Sequence, residues 1–256
     1  MSDVLAGILA SKQSRLSRGD YTPRPGTPPR PSDGAAFVAS LRAPGTRIIA
    51  EFKARSPSAG TIVTNAATKV ESFGLHYRRG HAAAISVVIE EDHFGGDPAW
   101  IPRLKSISGL PVLMKDFVVD ERQLDFAVSL GADAVLLIVR ALADEDLARL
   151  SRAARERGLA AVVEAHEPRE IPRAAAVAPE VLGVNARDLA TFRTDLGAIG
   201  AMAREIPPGP VRLAESGIRS REDIERLSAA GFEAFLVGES LLRAEEPEEE
   251  LRSLRG

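Results

Sequence analysis

Short apolar runs recur along this chain, and most end abruptly in a polar or charged group. Ile48-Ile49-Ala50 runs into Glu51 and Lys53, Val112-Leu113-Met114 into Lys115-Asp116, and Ala161-Val162-Val163 into Glu164. Val181 to Val184 runs into Asn185 and Arg187, and Arg212-Leu213-Ala214 into Glu215-Ser216. Alternate side chains of a strand share a face, so Glu51 and Lys53 point the same way, as do Asn185 and Arg187. The pattern predicts strands near 47–52, 83–89, 111–115, 133–138, 160–164, 181–185, 211–215 and 234–238. Helical periodicity lies between most of them, notably over 121–130, 144–157 and 221–230. Eight strands alternating with helices, each with its polar group at the C-terminal end, predict an α/β fold: a (β/α)8 TIM barrel with its site at that end.

Before the barrel, residues 4–17 show helical spacing and 34–42 a shorter helix. Thr22 to Pro31 is too rich in proline for helix or central strand and predicts an extended linker. The expected organisation is an N-terminal helix and linker over residues 1–45, capping a barrel over 46–256.

Segments 121–138 and 221–238 match when shifted by a hundred residues, and the same shift places Lys115 on Glu215. The repeat supports the barrel count as two related halves. Ala214-Glu215-Ser216-Gly217-Ile218 and Leu236-Val237-Gly238-Glu239-Ser240 form a two-part phosphate signal. Gly217 lets backbone approach an anion, and Gly238-Glu239 opens the helix after the eighth strand.

Composition narrows the choices. The 256 residues carry a formal net charge of -3 and no cysteine. Basic residues are dispersed, so no nucleic-acid partner is expected. No apolar stretch suits a membrane span, and residues 1–10 lack a secretory pattern, so the expected location is the cytoplasm. His76, His81, His93 and His166 show no metal-ligand spacing, and Gly95-Gly96 carries no dinucleotide fingerprint. The Glu245 to Glu250 run reads as a solvated helix end.

Six strings, each at a strand end, carry a resemblance: Ile48 to Ser58, Leu113 to Phe117, Val163 to His166, Gly183 to Leu189, Ala214 to Ile218 and Val237 to Leu241. Together they resemble the indole-3-glycerol phosphate synthases of tryptophan biosynthesis over roughly 45–245, and the N-terminal helix resembles that family's extra segment. The resemblance implies a carboxy-lyase acting on 1-(2-carboxyphenylamino)-1-deoxyribulose 5-phosphate. The aryl ring attacks the ribulose carbonyl, carbon dioxide leaves, and water is then eliminated. The electron-rich ring is its own nucleophile, so no cofactor or metal is implied. The implied partner is this phosphorylated small molecule. A monomer is expected, with association with other tryptophan-pathway enzymes left open.

The resemblance assigns Lys115 as general acid for ring closure, with its pKa expected to be lowered by burial or neighbouring cations. Lys53 matches the residue that contacts the substrate carboxylate. Glu51 holds Lys53 or acts as base, a structural ion pair being the alternative, and Glu164 matches a second catalytic carboxylate. Asn185 and Arg187 orient the substrate or brace the barrel rim. Glu215 and Ser216 match contacts to sugar hydroxyls, and Phe117 and Phe94 pack the aryl ring. Ser56, Gly217, Gly238 and the amide of Glu239 match the phosphate cradle.

Ala59, Ile89 and Ala186 depart from the family's usual residues, leaving open a substituted ring. Two further readings compete. Phosphoribosylanthranilate isomerase shares the barrel and phosphate site but resembles a pattern with a cysteine base, which this chain lacks. A non-catalytic phosphosugar-binding barrel need not keep Lys115 and Glu164 together.

Overall fold

The computed structural model describes residues 3–23, 31–187 and 194–256. Among them, eight parallel strands close into a barrel in sequence order. They are β1 (Arg47–Phe52), β2 (Ala84–Val88), β3 (Val112–Lys115) and β4 (Ala134–Ile138). The second half comprises β5 (Ala160–Ala165), β6 (Val181–Asn185), β7 (Val211–Glu215) and β8 (Ala234–Val237). Every predicted strand is present within one residue at each end. A short antiparallel pair, Arg55–Ser56 with Gly60–Thr61, projects from the end of β1.

The strands are buried on both faces, as parallel strands covered by helices must be. Ile48, Ala50, Val135, Leu137, Ala161 and Val163 point outward into the layer beneath the helices. Ile49, Leu113, Leu136, Val162, Leu213 and Leu236 fill the barrel interior. Register is consistent around the closure, with Ile48 opposite Phe235 and Asn185 opposite Glu215.

The two repeat segments adopt matching local structure. Helix Glu121–Leu130 opens with a capping box between Asp120 and Gln123, and helix Arg221–Ala230 with one between Ser220 and Asp223. Each box satisfies otherwise orphaned N–H groups of the first turn. Both helices stop at a left-handed glycine, Gly131 at φ 82° and Gly231 at φ 112°.

The N-terminal segment divides between the two ends of the barrel. Helix α2 (Gly34–Arg42) lies at the strand N-termini: Gly34 N–H donates to the Gly158 carbonyl, and Phe37 and Leu41 enter the interior core. Helix α1 (Asp3–Arg18) docks instead on the loops after β2 and β3. The central part of the predicted linker, residues 24–30, lies outside the described residues. None of the described helices is long and apolar enough to cross a membrane.

Candidate active site

A cavity of about 440 Å3 opens at the C-terminal ends of the strands. Ionisable groups meet there at distances set by strand register. Lys115, the last residue of β3, donates to Glu215 at 2.7 Å and to Glu164 at 3.2 Å. Asn185 Nδ2 donates to the same Glu164 oxygen at 3.2 Å. Beside them, Lys53 donates to Glu51 at 2.6 Å. Arg187 extends from the end of β6 to donate to Ser58 Oγ at 2.7 Å, so the loops after β1 and β6 meet at the rim.

Thirteen of the fourteen expected site residues line this cavity: Glu51, Lys53, Ser56, Phe94, Lys115, Phe117, Glu164, Asn185, Arg187, Ser216, Gly217, Gly238 and Glu239. Glu215 does not. At 1% exposure it lies beneath Lys115, with its carboxyl on the lysine.

The electrostatics also depart from expectation. Lys115 was expected to have a lowered pKa. Burial does push it down, but the carboxylates of Glu215, Glu164 and Glu51 outweigh burial and raise it well above the ordinary lysine value. The fault lay in expecting cations where the strands deliver anions. For Glu164, burial pushes upward, but the Lys115 ammonium overcomes it and holds the carboxyl low. For Glu215, burial and the negative Glu164 prevail over Lys115 and raise the carboxyl to about 8. The two carboxyls are thus pushed in opposite directions, Glu164 toward its ionised form and Glu215 toward its protonated form. Glu51 is also held low: burial opposes ionisation, but Lys53, Lys115 and Arg187 favour it.

Two glycines make room for the buried carboxylates. A β-carbon on Gly183 would stand 2.2 Å from Glu215 Oε1, and one on Gly238 would stand 2.8 Å from Glu51 Oε1. Gly238 has an ordinary φ of -127°, so its lack of a side chain serves Glu51 rather than a special turn. Gly217 is different. It follows Ser216 in the left-handed region, with φ 81° after φ 68°, and turns the backbone along the cavity wall.

At the same end, Ser240 lines the cavity with a buried hydroxyl that has no hydrogen-bond partner among the described residues. Its position within the Gly238-Glu239-Ser240 string was the available signal. At the apolar end, Phe94 and Phe117 stand with ring centroids 6.4 Å apart, alongside Leu136, Ile138 and Leu236.

Sequence reasoning missed the buttress behind this wall. Lys12 of α1, 1% exposed, pairs with Asp116 at 2.6 Å and reaches Glu90 at 3.8 Å. Tyr21 donates to Asp116 at 2.8 Å. Asp116 directly precedes Phe117, and Glu90 caps the short helix Glu91–Phe94 by accepting from the His93 and Phe94 amides. The signal was present, because Lys12 falls on the same helical stripe as Leu5, Ile8 and Leu16. His166, which shows no metal-ligand spacing in the sequence, lies 3.3 Å from Glu164. The predicted Gly183–Leu189 string is described only to Arg187, since Asp188 and Leu189 lie outside the described residues.

A family model for indole-3-glycerol phosphate synthase matches residues 27–254. Indole-3-glycerol phosphate synthase 2 of Streptomyces coelicolor is 40% identical over 263 residues, covering 100% of each chain. The indole-3-glycerol phosphate synthase of Koribacter versatilis is 44% identical over 212 residues, 83% of this chain and 81% of the relative. Among solved structures, 3-hexulose-6-phosphate synthase from Salmonella typhimurium aligns with a TM-score of 0.65 at 15% identity, covering 82% of this chain and 97% of that one. That likeness concerns the barrel alone, whereas the family match and the full-length relatives concern this sequence: the chain belongs to the indole-3-glycerol phosphate synthase family.

Proposed function

We propose that this chain converts 1-(2-carboxyphenylamino)-1-deoxyribulose 5-phosphate to indole-3-glycerol phosphate, releasing carbon dioxide and water. The observation that carries the reading is the Lys115 ammonium, held by two buried carboxyls at the wall of a cavity that has an aromatic end and an end rich in hydroxyl and backbone donors. A charged lysine of raised pKa is protonated at neutral pH and can donate to the ribulose carbonyl oxygen as the aryl carbon attacks it. Glu215, pushed toward its protonated form and accepting from Lys115 at 2.7 Å, can return the proton that Lys115 gives up.

Lys53 faces the substrate carboxylate, and its loss as carbon dioxide restores the aromatic ring. Dehydration then needs a base and an acid. Ionised Glu51 and Glu164 stand on either side of Lys115 for the first role, and Lys53 is available for the second. Ser56, the backbone at Gly217 and Glu239, and the unpartnered Ser240 hydroxyl form the phosphate cradle. Helix Glu239–Arg243 is only five residues long, so individual N–H groups matter more there than a helix dipole. Phe94 and Phe117 flank the aryl ring.

The test is incubation with the carboxyphenylamino-deoxyribulose phosphate while recording indole absorbance and fluorescence. Growth of both signals is expected; a folded protein that produces neither overturns the reading.

A further inference from the structure

Glu164 is bound unequally at its two oxygens. Oε2 receives both Lys115 and Asn185. Oε1 faces His166, whose Nε2 lies 3.3 Å away. His166 follows the last residue of β5, two positions beyond Glu164, and strand alternation therefore turns it toward the same side. Its side chain is 2% exposed and does not line the cavity. Among the described residues neither ring nitrogen completes a hydrogen bond, yet the Nε2 to Oε1 separation is already within reach of one.

The residue is also fixed from behind. Its backbone N–H donates to Glu170 Oε2 at 2.6 Å, and Arg140 Nε donates to Glu170 Oε1 at 3.1 Å. Arg140 continues to Glu167 at 3.3 Å. The ring thus faces Glu164 on one side and Glu170 on the other, with Nδ1 4.0 Å from Glu170, and it feels the charges of Arg140 and Lys115. Burial lowers its pKa, helped by those two cations against the two carboxylates, so the imidazole is neutral at physiological pH. A neutral imidazole has a single N–H to place, and a carboxylate oxygen facing Nε2 favours the proton on that nitrogen.

We propose that His166 is a positioning residue for the reaction: its Nε2–H donates to Glu164 Oε1, holds the carboxylate across from Lys115 and Asn185, and keeps it ionised for proton transfer. The proposal rests on the reading of Glu164 as a reacting carboxylate. His166 itself touches no substrate and works from beneath the cavity wall. Losing a hydrogen bond to a carboxylate typically costs about one to two powers of ten in a rate that depends on it.

The test compares His166→Leu, His166→Gln and the parent enzyme with the carboxyphenylamino-deoxyribulose phosphate across pH 3–9. In His166→Leu, kcat is expected to fall about ten- to a hundredfold with KM changed less than about twofold. The acid limb of the kcat profile is expected to move to higher pH, because Glu164 loses a donor to its charged form. His166→Gln, which restores an N–H donor, is expected to recover most of kcat and return the limb toward the parent position. A Leu variant whose pH profile superimposes on the parent's overturns the proposal, as does equal loss in both variants. Nitrogen NMR of the intact parent supplies a readout independent of turnover and of variant folding. The neutral ring is expected to carry its proton on Nε2, and a neutral ring that carries it on Nδ1 overturns the proposal. A parent without turnover would count against the proposed function, while the NMR result would still decide the pairing of His166 with Glu164.

Discussion

Residues 115–138 and 215–238 run the same course on opposite sides of the barrel. Each begins on the final residue of a strand, passes through a short loop into a capping box, forms a ten-residue helix and stops at a left-handed glycine before the next strand. The frames match, but the loops between strand end and cap do not. After Lys115 the chain buries Asp116 against Lys12 and Tyr21 and sets Phe117 in the aromatic wall. After Glu215 it turns through left-handed Ser216 and Gly217 along the cavity wall. The equivalent residues that open the two loops reach across the barrel and bond to each other at 2.7 Å. Caps, glycine stops and alternating apolar positions therefore carry the fold, while strand-end and loop residues line the cavity.

The sharpest way to test that division is at the central pair. Lys115→Met is expected to cut kcat by roughly 100- to 10,000-fold, the usual contribution of a positioned general acid, with little change in substrate affinity. Single-turnover kinetics separate the two effects, and near-normal turnover would make Lys115 a rim residue.

Glu215→Gln attacks the other half of the pair and keeps its shape. A kcat loss of about 10- to 100-fold with steady KM is expected, because a hydrogen bond to a charged partner is weakened. The carboxyl of Glu215 is raised, so its proton is held below about pH 8 and lost as pH rises through that value. Its linked contribution to stability is likewise full below the ordinary carboxyl range and disappears through about pH 8. The parent rate should therefore show an alkaline decline near that pH that Glu215→Gln lacks. A rise in KM without a fall in kcat would restore Glu215 to direct contact with the sugar.

The two site glycines are expected to fail differently. Gly217→Val places a branched residue at φ 81° and crowds Thr194, whose Cβ would stand 3.1 Å from the new side chain. KM should rise roughly 10-fold through disturbed backbone donors to the phosphate. Gly238→Val instead displaces Glu51 and should lower kcat by a similar factor. Steady-state kinetics on folded variants distinguish them, and the same KM defect in both would erase the distinction.

The smallest effect is expected from the shared frame itself. Asp120→Ala and Ser220→Ala each remove a helix cap and should cost about 1 kcal/mol of stability apiece while leaving kcat unchanged. Urea unfolding with parallel rate assays checks both. A clear loss of activity from either would show that the frame and the chemistry are not separable.

The contrast also explains what could be read from the sequence. Strands that end in a charge announced themselves, because apolar runs, period-two alternation and glycine stops are local signals. Most of the site residues stood at or just beyond those ends, and thirteen of the fourteen line the cavity. Glu215 stood there too, but whether a strand-end side chain faces the cavity or sits beneath a neighbour depends on the strand alongside. Gly183, which leaves room for it, lies on β6. The direction of the Lys115 shift was missed for a related reason, since its anions arrive from β1, β5 and β7. Lys12 gave a local hint as a charge within an apolar stripe, but its partners lie far along the chain. No spacing rule points to a lone histidine such as His166 when its role is set by one carboxylate in front and another behind.

The buried contact between α1 and Asp116 also has a consequence in time. Tyr21 and its partner Asp116 are separated by 95 residues. At an elongation rate of about 5–20 residues per second, α1 leaves the ribosome roughly 5–20 s before β3 exists for it to bind. A lone sixteen-residue helix is marginal in water, so Leu5, Ile8 and Leu16 spend that interval without the packing they later acquire. Helix α1 is thus among the parts of the chain that must wait to settle, and until it does the nascent chain carries an exposed apolar stripe available to chaperones or to a neighbouring chain.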